Sequence, residues 1–386
     1  MADEKETVFC TNCGTENIAK SKFCIKCGKP LETISDDGIE GKAEQPEQKS
    51  SILDSATSHL NSWTGGEGAV KVSWKEFFSE VFKSHTEDEA EDIFIAGTKK
   101  TTPSLSEISN EKVQPWLFSR ILIFIIAAGI LLSVLANLNP SAIGDRVAVD
   151  VMTCVAVPMS ALVLFFETNV YKNISFYKVG KIMLLGGILA IILTLLMDMF
   201  LGDSGELNFS GSLLTGVVEE SSKLLIAAYF VQKLKIKRIF NGLLIGAAVG
   251  TGFAAFENIQ YMFIGNQLAS MSDALIRTLY SIATHTEWCA IATAALVIVK
   301  GSQNLSTSTF MNTKFLRFFV LVILIHMFWD WNLLYNFRKI LIPALVLITW
   351  LTIFVLIHAG LREVKELQSS VNNDVISNKG GEDYSN

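Results

Sequence analysis

From Pro115 onward the sequence consists largely of apolar runs of about 20 residues, each long enough to cross ~30 Å of hydrocarbon, separated by short polar loops. Inside hydrocarbon a backbone must satisfy its own hydrogen bonds, which leaves helices or closed barrels. These runs are continuous rather than alternating, so helices are expected. Eight are read, at about 116–138, 147–167, 178–200, 212–231, 239–264, 275–299, 315–335 and 340–360. Composition agrees: only 18% of the 386 residues are charged, below the roughly 25% of soluble domains, and mean hydropathy is +0.39. The expected fold class is an all-α polytopic membrane protein of about eight transmembrane helices with a small N-terminal zinc ribbon. The net charge of −6 gives no general attraction to nucleic acid, and none is expected as a partner.

The ribbon is read from residues 8–31. Cys10, Cys13, Cys24 and Cys27 form two C-x2-C pairs, and each second cysteine is followed by glycine (Gly14, Gly28). Four thiolates suit tetrahedral Zn²⁺, and C-x2-C-G makes a tight knuckle whose backbone N–H groups can face the sulfurs. Four protein ligands leave no open position, so this zinc is structural. So small a domain has almost no core and depends on its metal to fold. Residues 1–9 are polar and acidic, unlike a secretory leader, so the N-terminus is expected to stay in the compartment of synthesis.

Residues 32–115 are polar and acidic, and are expected to be a flexible linker. One amphipathic helix is expected near 70–83, because Trp74, Phe77, Phe78, Val81 and Phe82 recur at helical spacing. It would lie in the lipid interface or pack on the protein's own cytoplasmic face. The acidic run Glu87–Asp92 is read as a solvated segment. The membrane domain is expected over 116–362, followed by a polar tail at 363–386.

Loop charges set the orientation. Loops after the second, fourth and sixth helices carry Lys172, Lys178, Lys233, Lys235, Lys237, Arg238, Lys300 and Lys314, and the tail adds Arg362 and Lys365. The opposite loops carry only Arg146, Arg338 and Lys339. The excess of Lys and Arg places both termini in the cytoplasm of a multi-pass cell-membrane protein. A reducing cytoplasm also suits zinc-binding thiols.

Ionisable residues deep in a span are costly and point to function. The fourth helix holds Glu219, Glu220 and Lys223; the fifth, Glu257 and Tyr261; the sixth, His285 and Glu287; the seventh, His326 and Asp330. Counting at ~1.5 Å per residue puts these groups about 8–15 Å below one membrane face, in a single slab. The pairs Glu219/Lys223, Glu257/Tyr261 and His326/Asp330 are i, i+4 and share faces. Glu219 and Glu220 point about 100° apart, so one faces the site and the other supports it. Two chemistries are open. A carboxylate and imidazoles can deprotonate water and stabilise an oxyanion, or two His and one Glu can hold a catalytic Zn²⁺. The same groups are open to an ion or solute transporter, or to a salt-bridged structural network. No convincing repeat relates the two halves, and Pro158 is the only proline well inside a span, which lowers the transporter reading.

At these residues the chain resembles the PrsW family of intramembrane proteases, marked by E-E-x-x-K, F-E-x-x-x-Y and H-x-x-x-D on successive helices. Here they read Glu219-Glu220-Ser-Ser-Lys223, Phe256-Glu257-Asn-Ile-Gln-Tyr261 and His326-Met-Phe-Trp-Asp330. The resemblance covers about 116–362 and extends to His285. The wider superfamily of CAAX prenyl proteases and bacteriocin-processing enzymes has Arg, His and Asn where this chain has Lys223, Tyr261 and Asp330. The resemblance implies an endopeptidase, glutamic or metal-dependent, that cuts membrane-embedded protein substrates within or near the lipid bilayer, in a setting of regulated proteolysis. The implied catalytic set is Glu219 or Glu220 as base, His285 in support and His326 at the oxyanion. Lys223, Glu257, Tyr261 and Asp330 support the site; Arg277 is an alternative anion contact. A cytoplasmic protein is the expected partner of the ribbon.

The loop charges make a direct prediction. A membrane-impermeant maleimide added from outside should label a cysteine placed at Ser204 but not one at Ser377. Labelling of both would overturn the eight-span topology.

Overall fold

The computed structural model describes residues 7–9, 15–18, 21, 24–26, 51–138, 143–202, 205–262 and 280–380. Cys10, Cys13, Cys27, Ser204, Arg277 and residues 32–50 lie outside these. The chain divides into two compact units, Met1–Ser50 and Ser51–Asn386.

In the first unit, β1 (Thr7–Phe9) pairs antiparallel with β2 (Glu16–Ile18), with Val8 opposite Asn17. Asn17 is buried and ties the turn together. Its Nδ2 donates to the Thr15 carbonyl at 2.6 Å and to Cys24 Sγ at 3.7 Å, and its Oδ1 accepts from the Ile25 N–H at 2.9 Å. The Lys26 N–H also donates to Cys24 Sγ, at 3.4 Å. Donors thus converge on a buried sulfur, the arrangement a thiolate ligand needs.

In the second unit, α1 (Ile52–Trp63), α2 (Trp74–Phe77) and α3 (Glu87–Ile95) precede eight longer helices. These are α4 (Leu117–Leu138), α5 (Ile143–Thr168), α6 (Phe176–Leu201), α7 (Phe209–Lys233), α8 (Ile239–Met262), α9 (His285–Lys300), α11 (Thr313–Asp330) and α12 (Arg338–Gly380); the short α10 (Thr307–Phe310) lies between α9 and α11. Spans within five of them are long and apolar enough to cross a membrane: 117–135, 176–201, 239–261, 281–300 and 338–371. The helices α7 and α11 fall outside that set because they carry Glu219, Glu220 and Lys223, and Lys314, Arg317 and Asp330.

Burial orders the bundle. The apolar spans of α8 and α9 are 89% and 83% buried, those of α4 and α6 only 17% each. The pair α8 and α9 is therefore the centre, while α4 and α6 turn apolar faces outward. Close approach at the centre depends on glycine. A Cβ at Gly246 would collide with the Cys289 carbonyl, and one at Gly250 with the His285 carbonyl; Gly187 of α6 meets the backbone of Gly252. Small residues let helix backbones come into van der Waals contact where no hydrophobic drive separates lipid from protein.

The structure departs from the sequence expectations at several places. Residues 51–115 are not a free linker but are bound to the bundle. Phe77 and Ile108 enter the core, Arg362 Nη2 donates to the Thr64 carbonyl at 2.9 Å, and Gln368 Nε2 donates to the carbonyls of Leu105 and Ile108 at 2.8 and 2.9 Å. The helix expected over 70–83 is confined to Trp74–Phe77. Arg120 takes the carbonyls of Val81 and Lys83, both at 2.8 Å, while Trp74 and Phe77 pack edge-on against Phe354 of α12. The acidic run becomes α3, where Thr86 and Glu89 form a capping box and Glu87, Asp88 and Glu89 fill the first turn. Of the sixth long helix, expected over 275–299, the part before Tyr280 lies outside the described residues; a 3-10 turn at Ser281–Ala283 precedes a helix that opens at His285, where Thr284 and Glu287 cap it. The last helix runs through 362 to Gly380, so no structural break opens the tail.

Gly250 therefore carries a specific expectation. Gly250→Val should force α9 back at the His285 carbonyl, with an overpacking cost of about 1–3 kcal/mol. Thermal unfolding in detergent should show a lowered midpoint, and proteolysis should fall more than in Gly180→Ala, which faces open space.

Candidate active site

Six helices line one polar cavity of about 410 Å³, and four of them, α7, α8, α9 and α11, supply Glu219, Glu257, His285, His326 and Asp330. Each group sits where its helix turns inward. Glu219 and Glu220 are neighbours on α7, and only Glu219 borders the cavity; Glu220 is 1% exposed and lies behind it. His285 opens α9, with its backbone fixed by the Thr284/Glu287 cap and its carbonyl against Gly250. His326 and Asp330 are one turn apart near the end of α11.

Lys223 is the hub. Fully buried, its Nζ lies 2.6 Å from Glu220 Oε1, 3.5 Å from Glu219 Oε2 and 2.7 Å from His285 Nδ1, and 4.3 Å above the Phe253 ring. An ammonium only donates, so His285 Nδ1 accepts and carries the lone pair. The other nitrogen, Nε2–H, then donates to Glu257 Oε2 at 2.8 Å. His326 has a carboxylate at each nitrogen: Glu220 Oε1 2.8 Å from Nδ1 and Asp330 Oδ2 3.2 Å from Nε2. A neutral ring can donate to only one of them. With Nδ1–H on the deeply buried Glu220, the Nε2 lone pair faces Asp330 and Glu219. Trp288 fills the space beneath both rings, its centroid 5.3 Å from that of His285 and 4.8 Å from that of His326.

One cavity-side carboxylate oxygen, the buried Glu219 Oε2, accepts no hydrogen bond, although Lys223 Nζ lies 3.5 Å from it as an ion-pair partner. It lies 3.9 Å from His285 Nδ1 and 3.8 Å from His326 Nε2. These three donor atoms all fall within 4.8 Å of one another. Tetrahedral zinc with bonds near 2.1 Å would hold ligand atoms about 3.4 Å apart, so a slight contraction would satisfy it. One carboxylate and two imidazoles also match the three-ligand chemistry of catalytic zinc. The residues present fit such a cation, and the carboxylates behind both imidazoles are the outer partners that zinc-binding histidines normally have.

The sequence of residues 177–358 matches the model of the PrsW family intramembrane metalloproteases. Residues 177–358, just under half of the chain, are thus similar to that family. A relative, Protease PrsW of Halalkalibacterium halodurans, is 24% identical over 211 residues, covering 53% of this chain and 94% of the relative. Residues 9–31 match a zinc-ribbon domain. No solved structure matches. The match and the polar cavity agree on an intramembrane protease, in a chain with several apolar helices and an N-terminal zinc-ribbon match.

Of the residues singled out by sequence, Glu219, Glu257, His285, His326, Asp330 and Tyr261 line the cavity, and Glu220 and Lys223 form its buried support. Tyr261 stands at the rim, 41% exposed. Sequence reasoning passed over Trp288, Phe253, Asp198 and Arg338, although Asp198, Trp288 and Arg338 also line the cavity. Trp288 was findable as the residue one turn from His285, and Phe253 as the one a turn before Glu257. The signal was weak, because an aromatic residue in an apolar run reads as core.

Lys223→Met should leave Glu220 buried without its cation, at a cost of about 3–5 kcal/mol. Poor recovery of folded protein by size-exclusion chromatography is expected, and Lys223→Met/Glu220→Gln should restore folding while leaving proteolysis low. Normal yield and activity in Lys223→Met would show that the hub is dispensable.

Proposed function

We propose that the cavity hydrolyses peptide bonds of membrane-embedded protein substrates, and that Glu219, His285 and His326 hold a divalent metal ion there, zinc being the best match. The observation that carries this reading is the buried Glu219 Oε2, which accepts no hydrogen bond and lies 3.9 Å from His285 Nδ1 and 3.8 Å from His326 Nε2. When bound, such a cation polarises a carbonyl and lowers the pKa of bound water to near neutrality. The remaining steps belong to the chain. Glu257 holds the His285 ring by accepting from Nε2–H, and Glu220 holds His326 by accepting from Nδ1–H. Asp330 and Glu257, the carboxylates on the cavity wall that lie against the two imidazoles, receive the proton released by the attacking water. Glu220 acts as a positioning residue, since it does not reach the cavity.

A second reading rests on Lys223, whose Nζ lies 2.7 Å from the same His285 Nδ1. While that contact persists the lone pair is occupied, and Glu219 itself is the base, with His285 in support and His326 at the oxyanion. Both readings keep the eight spans, the cytoplasmic termini and the catalytic slab toward the outer face. In both, the zinc ribbon binds its structural metal through Cys10, Cys13, Cys24 and Cys27 and engages a cytoplasmic partner, apart from catalysis.

Metal analysis separates the readings. In a Cys10→Ser/Cys13→Ser background, which removes ribbon zinc, the purified protein should retain about one metal per chain. His285→Ala and Glu219→Gln should lose both that metal and cleavage, whereas Glu257→Gln should keep the metal and lose most activity. Full cleavage by metal-free protein would leave Glu219 as base. Wild-type cleavage by folded Glu219→Gln would exclude both.

A further inference from the structure

A separate cavity of about 240 Å³ lies where α6 and α8 begin and α7 ends, lined by Lys178, Lys235, Lys237, Arg238, Asn173 and Asn241. The helices α6 and α8 are apolar enough to cross a membrane, so their first turns lie at its surface. Among the described residues no carboxylate pairs with Lys178, Lys235 or Lys237; Arg238 has Glu363 at 3.8 Å. Four cations round one small cavity repel each other, and nothing in the packing of the bundle requires them there.

Two further observations point to a ligand. The first is backbone strain. Lys235 has φ 52°, directly after the α7 cap at Leu234, and the Ile236 N–H closes the turn onto the Val231 carbonyl at 2.9 Å. That left-handed position is ordinarily glycine. The only other non-glycine residue with positive φ among the described residues is Lys172, adjacent to Asn173. Both strained positions therefore hold lysines at this edge, and strain retained against the local preference points to function. The second observation concerns acceptors. Asn241 is 3% exposed, and its Oδ1 has no hydrogen-bond partner; the buried Oδ1 of Asn173 has none either. A buried amide oxygen without a donor is unfavourable.

The cations call for an anion and the two amide oxygens for hydroxyl donors. We propose that this cavity binds the headgroup of an anionic phospholipid bearing free hydroxyls, phosphatidylglycerol being the simplest lipid with both. The phosphate lies among Lys178, Lys235, Lys237 and Arg238, and glycerol hydroxyls donate to Asn173 and Asn241. The N-terminus of α8 adds its positive dipole end, which already accepts one anion: the Ile239 N–H donates to Glu363 Oε2 at 3.0 Å. The volume is several times the ~30 Å³ share of a single water, enough for a headgroup rather than a lone solvent molecule. Basic pockets between membrane helices are a recurrent form of lipid recognition.

The test uses the full chain in neutral detergent, titrated with phosphatidylglycerol, phosphatidylcholine, inorganic phosphate or glycerol phosphate, and read as the shift in unfolding temperature. Phosphatidylglycerol should raise the midpoint in wild type, and phosphatidylcholine should not. Lys178→Ala/Lys237→Ala should weaken the apparent affinity about fivefold per cation removed. Lys235→Gly should bind weakly too, yet be as stable as wild type or more so without lipid, because glycine is unstrained at that turn. Lys99→Ala/Lys100→Ala, exposed charges outside the cavity, should bind like wild type. An equal shift with phosphatidylcholine, an equal loss in Lys99→Ala/Lys100→Ala, or unchanged binding in both cavity variants would overturn the proposal. Saturation by inorganic or glycerol phosphate at the same concentrations would also overturn it, assigning the site to a soluble anion.

Discussion

An ammonium with no access to water governs this molecule. Lys223 is fully buried and held 2.6 Å from Glu220. Its charge and those of its partners survive burial only together, because a lone ion in a low-dielectric interior is far costlier than a paired one. From that cluster the site follows outward. Glu220 is fixed by Lys223 and in turn takes the Nδ1 side of His326. His285 accepts from the ammonium at Nδ1 and donates its Nε2–H to Glu257. Both imidazoles are thereby oriented by partners on other helices, so α7, α8, α9 and α11 are tied together electrostatically around the cavity.

The backbone makes this geometry reachable. His285 is the first residue of α9, and a helix start is normally a surface feature with unpaired N–H groups. Here the Thr284 N–H donates to Glu287 Oε2 at 3.1 Å, so the start can be buried. Gly246 and Gly250 then let α8 lie directly on α9. Without that approach Glu257, two turns beyond Gly250, would stand away from the His285 ring. Trp288 and Phe253 make the surroundings of the two imidazoles and the ammonium apolar, strengthening each charge interaction inside.

Much of this was legible because charge inside an apolar run is expensive and conspicuous. Glu219, Glu220, Lys223, Glu257, His285, His326 and Asp330 stand out for that reason alone, and the structure gathers them at one cavity with its buried support. What was not legible depends on contacts. Adjacent glutamates on one turn look alike until packing decides which borders the cavity. Residues 51–115 read as linker because their composition is polar, yet a few anchors such as Trp63, Phe77 and Ile108 suffice to dock them. The start of α9 did carry a cue: Thr284-His-Thr-Glu287 is a capping pattern inside an apolar stretch, where hydropathy alone runs the helix on.

The division of labour among helices follows from the same cost. The most outward-facing spans, those of α4 and α6, are strongly apolar, and neither supplies a donor to the Glu219–His285–His326 cluster. The donors come from α7, α9 and α11. Two of these, α7 and α11, are too charged to rank as membrane-crossing by composition, and α9 qualifies but is mostly enclosed by protein. A helix bearing Glu219, Glu220 and Lys223 cannot turn that face to lipid, so it must be covered, and α6, α8, α9 and α11 all pack against it. The cavity is the one place where that cover is incomplete. There a Glu219 oxygen that accepts no hydrogen bond meets space large enough for water and a peptide bond, so a surface costly to expose to lipid is also the surface that a hydrolase must expose to its substrate.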